Sequence, residues 1–473
     1  MRDDAKLTRR EALKLGGIAA LGSLLAACAP LSQPTAAPQE QPTAAAAEKP
    51  TAVPEAATAP EQSTAAAEAP KAGGKIQFMM WAWSPENEKF ERDRVDAFNK
   101  SQSDVVVEPL IMPYNDLWTK LDVLVASGQA PDTVWYDYAA YPLIAKGQFI
   151  DIKPYVDTVA AMTDDKIYNQ GFWKPAKMLG DDKPYALPIG GEGMNIFYNR
   201  DLFDAASVAY PTDDLTWDQY IEMAQKLTKV EGDKTVQFGA SLATMQAWWA
   251  WPMIVWSNGG TIVDSHYKPT KATLDTPEVI AALQMLQDLI YKSKAAPDPA
   301  QSTSLAEQGG DFASGKVATL IDGAWDVVGF RGIDRFKWDI ALLPKGSKGR
   351  ISPFWIGGPM IAKQSKAPDA AWAWCKWTAE KDGQTIIAKS GQQVPWMRET
   401  WDILPEGAVP EHYSKRFETL NDVWPADVWS AQWNQVLDKV WNPEFESFWK
   451  GEITAEDLVK KIDPETTKLL QEA

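Results

Sequence analysis

The chain has 473 residues, with 47 Lys and Arg against 64 Asp and Glu, for a formal net charge of −17. This acidity argues against a nucleic-acid partner, because phosphate backbones bind surfaces rich in Lys and Arg. It contains two histidines and two cysteines, too few for a His-triad or paired-Cys metal site, and GxSxG does not occur. We therefore expect no metal and no cofactor; Ser–His–acid catalysis is formally possible but has no supporting motif. The length predicts two domains rather than one core.

Residues 1–28 have the pattern of an export signal. A basic leader precedes an apolar stretch, residues 15–27, that is too short to span a bilayer. The stretch ends in Leu-Ala-Ala-Cys28, which matches the lipobox of bacterial lipoproteins. This resemblance implies that Cys28 is lipidated and anchors an extracytoplasmic protein to the cell membrane. The adjacent Arg9 and Arg10 leave both Sec and twin-arginine export open.

Residues 29–74 consist mainly of Ala, Pro, Thr, Glu and Gln. Such a segment buries too little apolar surface to offset its ordering entropy, so we expect a disordered tether. Beyond the tether Cys375 is the remaining cysteine, so no intramolecular disulfide is possible once Cys28 is lipidated. Because Cys375 lies in the apolar run AAWAWCKW, we expect an inert core residue.

From residue 75 onward, apolar strand-like runs alternate with helical patterns. Strands are predicted over residues 75–83, 105–112 and 132–137, and helices over 86–100, 117–126 and 139–146. This rhythm predicts a parallel sheet covered by helices, with ligands beyond the carboxyl ends of its strands. Trp83 ends the first strand, and Trp135 and Asp137 end the third, so all three are candidate ligand contacts. Trp81 shares the strand parity of Trp83 but lies farther from the strand end.

Residues 183–203, KPYALPIGGEGMNIFYNRDLF, contain two extended runs joined by glycines. We expect the chain to cross between domains here, because glycine tolerates the dihedral angles of a hinge. Glu192 would then face the cleft and bind ligand; an ordinary β-bulge with an exposed Glu192 is the alternative. The second run ends at Asn199, which predicts a helix start.

That stretch, together with five other blocks, resembles the family 1 extracellular solute-binding proteins, the maltose- and glycerol-phosphate-type receptors of ABC importers. The blocks are SGQAPDTVWYDYAAYPLIAKGQFIDIKPYVD (127–157), DLTWDQYIEMAQKLTK (214–229), DTPEVIAALQMLQDLI (275–290), FASGKVATLIDGAWDV (312–327) and IALLPKG (340–346). The resemblance implies an α/β, two-lobe, type II-like periplasmic-binding-protein fold with the ligand cleft between lobes joined by crossing strands. Lobe 1 would comprise residues 75–190 and 345–392, and lobe 2 residues 191–344 and 393–473.

Tryptophan is abundant, with 23 residues, and its flat indole suits the apolar face of a sugar ring. By the family resemblance Trp325 stacks on bound sugar, with Asp326 as a partner for hydroxyl groups. WWAWPMIVWSNGG (248–260) resembles the family helix that lines the cleft. Helical spacing assigns Trp248, Trp251 and Trp256 to its core-facing side. Gln246 and Trp249 point away from that side and are ligand candidates. Trp355 and Trp396 are further candidates, because they lie in irregular segments next to the predicted crossings.

The resulting hypothesis is a monomeric receptor that binds a sugar or oligosaccharide and delivers it to an ABC permease by lobe closure. A secreted glycoside hydrolase is the alternative from another class, with Asp137 and Glu192 as its two carboxyl groups. Within the same fold, a polyamine would suit an aromatic, acidic cleft. A glycerol-phosphate-type anion would need basic groups, which the proposed wall residues do not include.

Overall fold

A computed structural model describes residues 73–82, 84–405, 407 and 410–472, although not the side chain of residue 115. The predicted export signal, the lipidation site at Cys28, nearly all of the tether and Trp83 lie outside these residues. Among the described residues, no helix combines the length and apolar character needed to cross a membrane.

The described strands and helices alternate in the amino-terminal part of the chain, as the sequence predicts. The strands are β1 Gly74–Trp81, β2 Val105–Met112, β3 Thr133–Trp135, β4 Gly190–Asn199, β5 Lys229–Glu231, β6 Lys234–Gln237, β7 Thr319–Gly323, β8 Trp338–Ala341, β9 Ser352–Gly357, β10 Pro359–Ile361, β11 Val394–Pro395 and β12 Val423–Pro425. The helices are α1 Pro85–Ser101, α2 Tyr114–Ala126, α3 Tyr141–Ala145, α4 Lys153–Val156, α5 Trp173–Ala176, α6 Arg200–Ala206, α7 Trp217–Leu227, α8 Pro252–Ser257, α9 Pro277–Tyr291, α10 Pro299–Ala306, α11 Val327–Phe330, α12 Pro368–Ala379, α13 Lys381–Ser390, α14 Lys415–Glu418, α15 Trp433–Val436, α16 Asn442–Trp449 and α17 Ala455–Gln471.

The first sheet has the strand order β10-β3-β1-β2, in which β1 runs parallel to β2 and β3. Helix α1 covers the crossover from β1 to β2. It begins where the sequence changes from strand to helix signals: the Ser84 side chain accepts a hydrogen bond from the Asn87 N–H, and Pro85 occupies the first turn. The predicted β-α-β-α-β unit is therefore confirmed.

The second sheet is built around β4, which pairs antiparallel with β7, β8, β9 and β11. The prediction of two strands joined by a glycine hinge is wrong, because Gly190–Asn199 forms one continuous strand. Its glycines have no positive φ; they are needed for close packing. A Cβ on Gly190 would lie 2.8 Å from the Gln393 side chain, and one on Gly191 would lie 2.6 Å from the Phe354 ring. As predicted, Asn199 caps the following helix, α6.

Two hydrophobic cores give the molecule its two lobes. The first core draws on residues 76–189 and 354–397 and on Leu420 and Trp429. The second draws mainly on residues 194–343 and 428–470. Cys375 is buried in the first core, as predicted, and burial raises the pKa of its thiol. The lobe boundaries at residues 190, 344 and 392 stay a prediction.

Candidate functional site

Three of the tryptophans predicted to bind ligand lie in mutual contact, and we call Trp249, Trp325 and Trp355 the tryptophan triad. Ring centroids are 5.0 Å apart for Trp249–Trp355, 5.5 Å for Trp325–Trp355 and 6.1 Å for Trp249–Trp325, all in edge-to-face arrangements. Each ring is only partly buried. The triad therefore offers partly accessible indole surface from three separate segments.

Local backbone features fix the position of each ring. Trp355 lies on β9, and Trp249 lies in the turn that leads into α8. Trp325 belongs to a short 3-10 turn, Ala324–Asp326, directly after β7. A Cβ on Gly323 would come within 2.2 Å of the Trp325 ring, so only glycine lets this indole fold back over the end of the strand.

A pair of carboxyl groups lies beside Trp325. The Asp322 and Asp326 side chains are hydrogen-bonded to each other, and Asp322 also accepts a hydrogen bond from the Thr244 hydroxyl. Burial raises the pKa of both groups, and the Asp322 charge raises that of Asp326 further. Burial and the short distance between the two groups therefore disfavour two negative charges at this position. Gln246, a predicted contact, ends the 3-10 turn that carries Thr244 and is partly buried.

On the first-lobe side, Asp137 is the cap of a short 3-10 turn. Its Oδ1 accepts hydrogen bonds from the Tyr114 hydroxyl, at 2.8 Å, and from the Ala139 N–H, at 2.9 Å. Burial raises the pKa of Asp137 to about 6, although both hydrogen bonds oppose the shift. These two hydrogen bonds hold the side chain of this predicted ligand residue in place just after the end of β3.

Asp427 is a second acid at this position that the sequence did not indicate. It is 1% exposed, and its Oδ2 accepts a hydrogen bond from the Tyr136 hydroxyl at 3.0 Å. Its Oδ1 has no hydrogen-bond partner among the described residues. Burial and the Asp137 charge raise the pKa of Asp427 to about 8. The Trp355 indole lies close to the same carboxyl group, which connects Asp427 to the triad.

A cavity of about 360 Å³ is lined by residues of both lobes, among them Tyr114, which donates a hydrogen bond to Asp137. Tyr138 of the first lobe meets Trp248 of the second across it, with ring centroids 5.4 Å apart. Its lining contains no Lys, Arg or His among the described residues; the lining residues are Tyr114, Trp118, Asp122, Tyr138, Ala139, Pro142, Leu143, Trp248, Asn434, Leu437, Asp438 and Asn442.

The prediction that Trp248 faces the core is only partly right. Trp251 and Trp256 are buried, as predicted, but Trp248 is partly exposed and lines the cavity. The reason is that α8 begins at Pro252. Trp248 precedes the helix, so helical spacing does not govern where its side chain lies.

The prediction that Glu192 faces the cleft is contradicted. Glu192 is 3% exposed and forms an ion pair with the fully buried Arg416. Arg416 also donates hydrogen bonds to the Gly391 carbonyl and the Tyr413 hydroxyl. Burial raises the pKa of Glu192 to about 7, against the opposing charge of Arg416. This ion pair ties the crossing strand to the carboxy-terminal segment, and it removes Glu192 from the two-carboxyl arrangement that a glycosidase would need.

Two predicted tryptophans lie in the first core instead of the cleft. Trp396 is 0% exposed, packs 4.2 Å from the Tyr168 ring and donates its indole N–H to the Asn169 carbonyl. Trp135 is 5% exposed and packs 5.1 Å from the Arg94 guanidinium. Both placements argue against ligand contact.

The first-lobe aromatics of the cavity were missed, although a signal for them existed. Tyr114 and Trp118 begin α2 directly after the carboxyl end of β2. The strand-end rule that selected Asp137 on the third strand selects these two residues when it is applied to the second strand.

Comparison with known proteins gives consistent matches. The family model for bacterial extracellular solute-binding protein matches residues 82–385. The arabinooligosaccharide-binding protein of Bacillus subtilis (strain 168) is 25% identical over 310 residues, which cover 63% of this chain and 68% of that protein. The galactooligosaccharide-binding protein of the same organism is 25% identical over 312 residues, covering 64% and 67%. The structure of an ABC substrate-binding protein from Listeria monocytogenes in complex with cycloalternan superposes with a TM-score of 0.71 at 25% identity, covering 83% of this chain and 98% of that one.

Proposed function

This chain belongs to the bacterial extracellular solute-binding proteins, and we propose that it binds an oligosaccharide outside the cytoplasm and delivers it to an ABC importer. The observation that carries the sugar assignment is the partly exposed tryptophan triad, whose Trp249 directly follows Trp248 of the aromatic cavity wall. Indole rings pack well on the apolar faces of sugar rings, and nearby polar groups can hold the hydroxyls.

The contacts between lobes suggest how binding is coupled to closure. Tyr138 of the first lobe touches Trp248 of the second. Tyr136 of the first lobe donates a hydrogen bond to Asp427, whose neighbours Val428 and Trp429 pack in the second and the first core. A sugar in the cavity would add contacts to both walls at once. It would favour the closed arrangement by the difference between its affinities for the closed and open forms.

The residues that line the cavity argue against an anionic solute. Because no basic residue lines it among the described residues, an anionic solute of the glycerol-phosphate type finds no counter-charge there. The loss of Glu192 to its ion pair disfavours the hydrolase. Lipid anchoring through Cys28 and a monomeric state complete the proposal, and the lipobox supports the former.

Thermal unfolding of the full-length protein against a panel of solutes tests the proposal. The panel comprises arabino-, galacto- and malto-oligosaccharides, amino sugars, polyol phosphates and spermidine. A ligand at 100 times its Kd adds about 2.7 kcal/mol, which raises Tm by a few degrees. We expect a shift with one carbohydrate class.

Two variants locate the site of any shift. Trp325→Ala should abolish the shift, whereas Trp338→Ala should keep it, because Trp338 packs in a separate cluster against Phe197 and Phe330. Shifts with phosphates or spermidine alone, or the release of new reducing ends from an oligosaccharide, would contradict the proposal.

A further inference from the structure

The carboxyl groups around the triad have no cationic partner. Among the described residues, none of the following forms an ion pair: Asp137, Asp322, Asp326 and Asp427. Elsewhere in the chain, the buried Glu91 is paired with Arg94, and Glu192 with Arg416. Asp311, also buried, has no ion pair among the described residues, but it accepts hydrogen bonds from the Ser241 and Ser302 hydroxyls.

Asp427 provides the most specific observation. It is 1% exposed, yet its Oδ1 has no hydrogen-bond partner among the described residues. A buried acceptor without a partner calls for an explanation, such as a group that is present only in the functional complex. Glu192 also has one such oxygen, but its other oxygen is paired with the Arg416 guanidinium, whereas Asp427 has no ion pair among the described residues. The hydrogen bond from Tyr136 and the nearby Trp355 place this carboxyl group between the end of β3 and the tryptophan triad.

We propose that the solute is an amino sugar, or an oligosaccharide containing one, whose protonated amine is held by Asp427 and Asp137 while its rings stack on the tryptophan triad. The inference rests on the proposed function and names the class of carbohydrate. An ammonium group supplies both the missing counter-charge and hydrogen-bond donors for Oδ1. The indole faces add a cation–π attraction that a neutral sugar does not experience.

The ionisation of the two acids is consistent with this assignment. Burial raises the pKa of Asp137 to about 6 and that of Asp427 to about 8, so their charged forms need a cationic partner to be favoured near neutral pH. His266 is a basic side chain in contact with Asp427. Its Nδ1–H donates to the Asp427 backbone carbonyl, and its Nε2 accepts the Trp424 indole N–H. This arrangement uses the neutral imidazole, and burial lowers its pKa. His266 therefore supplies no positive charge to the carboxyl group.

Calorimetric titration of the full-length protein with matched sugars tests the inference. One series is the β-1,4 trimer of glucosamine, its N-acetylated form and cellotriose; a second is 6-amino-6-deoxymaltotriose and maltotriose; spermidine is titrated alone. We expect the amine to bind about tenfold or more tightly than its neutral counterparts in at least one series. Asp427→Asn should remove this preference, because the amide keeps the Tyr136 hydrogen bond but not the charge.

Asp104→Asn is the matched control, because this exposed acid at the start of β2 lies away from the cleft and its loss should leave the preference intact. Asp137→Asn replaces Asp427→Asn if the latter does not fold. Equal or tighter binding of the neutral sugars, or a preference that survives both variants, overturns the inference and leaves the proposed function standing. Binding of spermidine without any sugar, or of no carbohydrate, overturns both.

Discussion

The crossing strand β4 and the cleft both contain deeply buried carboxyl groups, but these groups are compensated differently. On β4, Glu192 faces a fully buried arginine, Arg416, which also holds two neighbouring oxygen atoms. In the cleft, Asp427 receives one tyrosine hydroxyl and no cation among the described residues. Compensation within the chain fixes the crossing strand permanently. An uncompensated carboxyl group instead leaves an interaction for a solute to complete.

Breaking the ion pair between Glu192 and Arg416 should have the largest effect on the free energy of unfolding. Glu192→Gln leaves Arg416 buried without its counter-charge, which lowers the free energy of unfolding by about 3–5 kcal/mol. Urea titration at pH 8, where Glu192 is charged, measures the loss. Adding Arg416→Met should restore more than half of it, because no buried charge then remains. A loss below about 1 kcal/mol would show that the pair is not important to the fold.

A pair of tryptophan variants should separate binding from stability. Trp396→Ala removes a fully buried ring and should lower the free energy of unfolding by about 3–5 kcal/mol, with solute affinity unchanged in the folded protein. Trp325→Ala should weaken binding by about 2–4 kcal/mol, with a smaller effect on unfolding, because its ring is partly exposed. Calorimetric titration and urea unfolding of both variants check this. Equal losses of stability in the two would contradict it.

A single methyl group tests how tightly the crossing strand packs. Gly191→Ala should lower the free energy of unfolding by about 1–3 kcal/mol, because the new Cβ meets the Phe354 ring. Gly329→Ala is the control: it lies in α11 with no atom within 4 Å of the added Cβ, so we expect no loss or a slight gain. Thermal unfolding of both proteins gives the comparison. Matching midpoints would mean that the strand has room to move.

The last prediction concerns the cleft acids and pH. Because the pKa of Asp427 is raised to about 8, the folded protein holds a proton that the unfolded chain has released above its ordinary aspartate pKa. The contribution of Asp427 to the free energy of unfolding therefore falls as pH rises towards 8, by up to about 1.4 kcal/mol per pH unit. Urea titrations at pH 5, 6.5 and 8 should show Asp427→Asn gaining on the natural protein as pH rises. Parallel curves would refute the shift.

Local signals in the sequence predicted the first sheet and much of the triad. The strand and helix periods around β1 to β3 are self-contained, and Trp325 follows a strand within one recognisable block. Glu192 was misassigned because its partner lies 224 residues away, in a short helix with no marking motif. Asp427 was missed for the same reason: it meets Tyr136 across 291 residues.

The sequence pattern also failed to predict how deeply individual tryptophan side chains are buried. Trp396 stands in an irregular segment beside a crossing strand, where we expected exposure, yet the rings of Tyr168 and Trp173 enclose it. Conversely, Trp248 fits a core-facing helical position but precedes the helix. Both errors concern where an element begins or what packs over it, and these depend on contacts made by distant parts of the chain.

The tryptophan triad also makes the cleft optically distinctive. Indoles with centroids 5.0 to 6.1 Å apart interact through their electronic transitions, so their near-ultraviolet circular dichroism depends on the angles between the rings. A solute that turns one ring changes that signal and the fluorescence of all three. Under the proposed binding mode, the residues that contact the solute therefore also report its binding, without an added label.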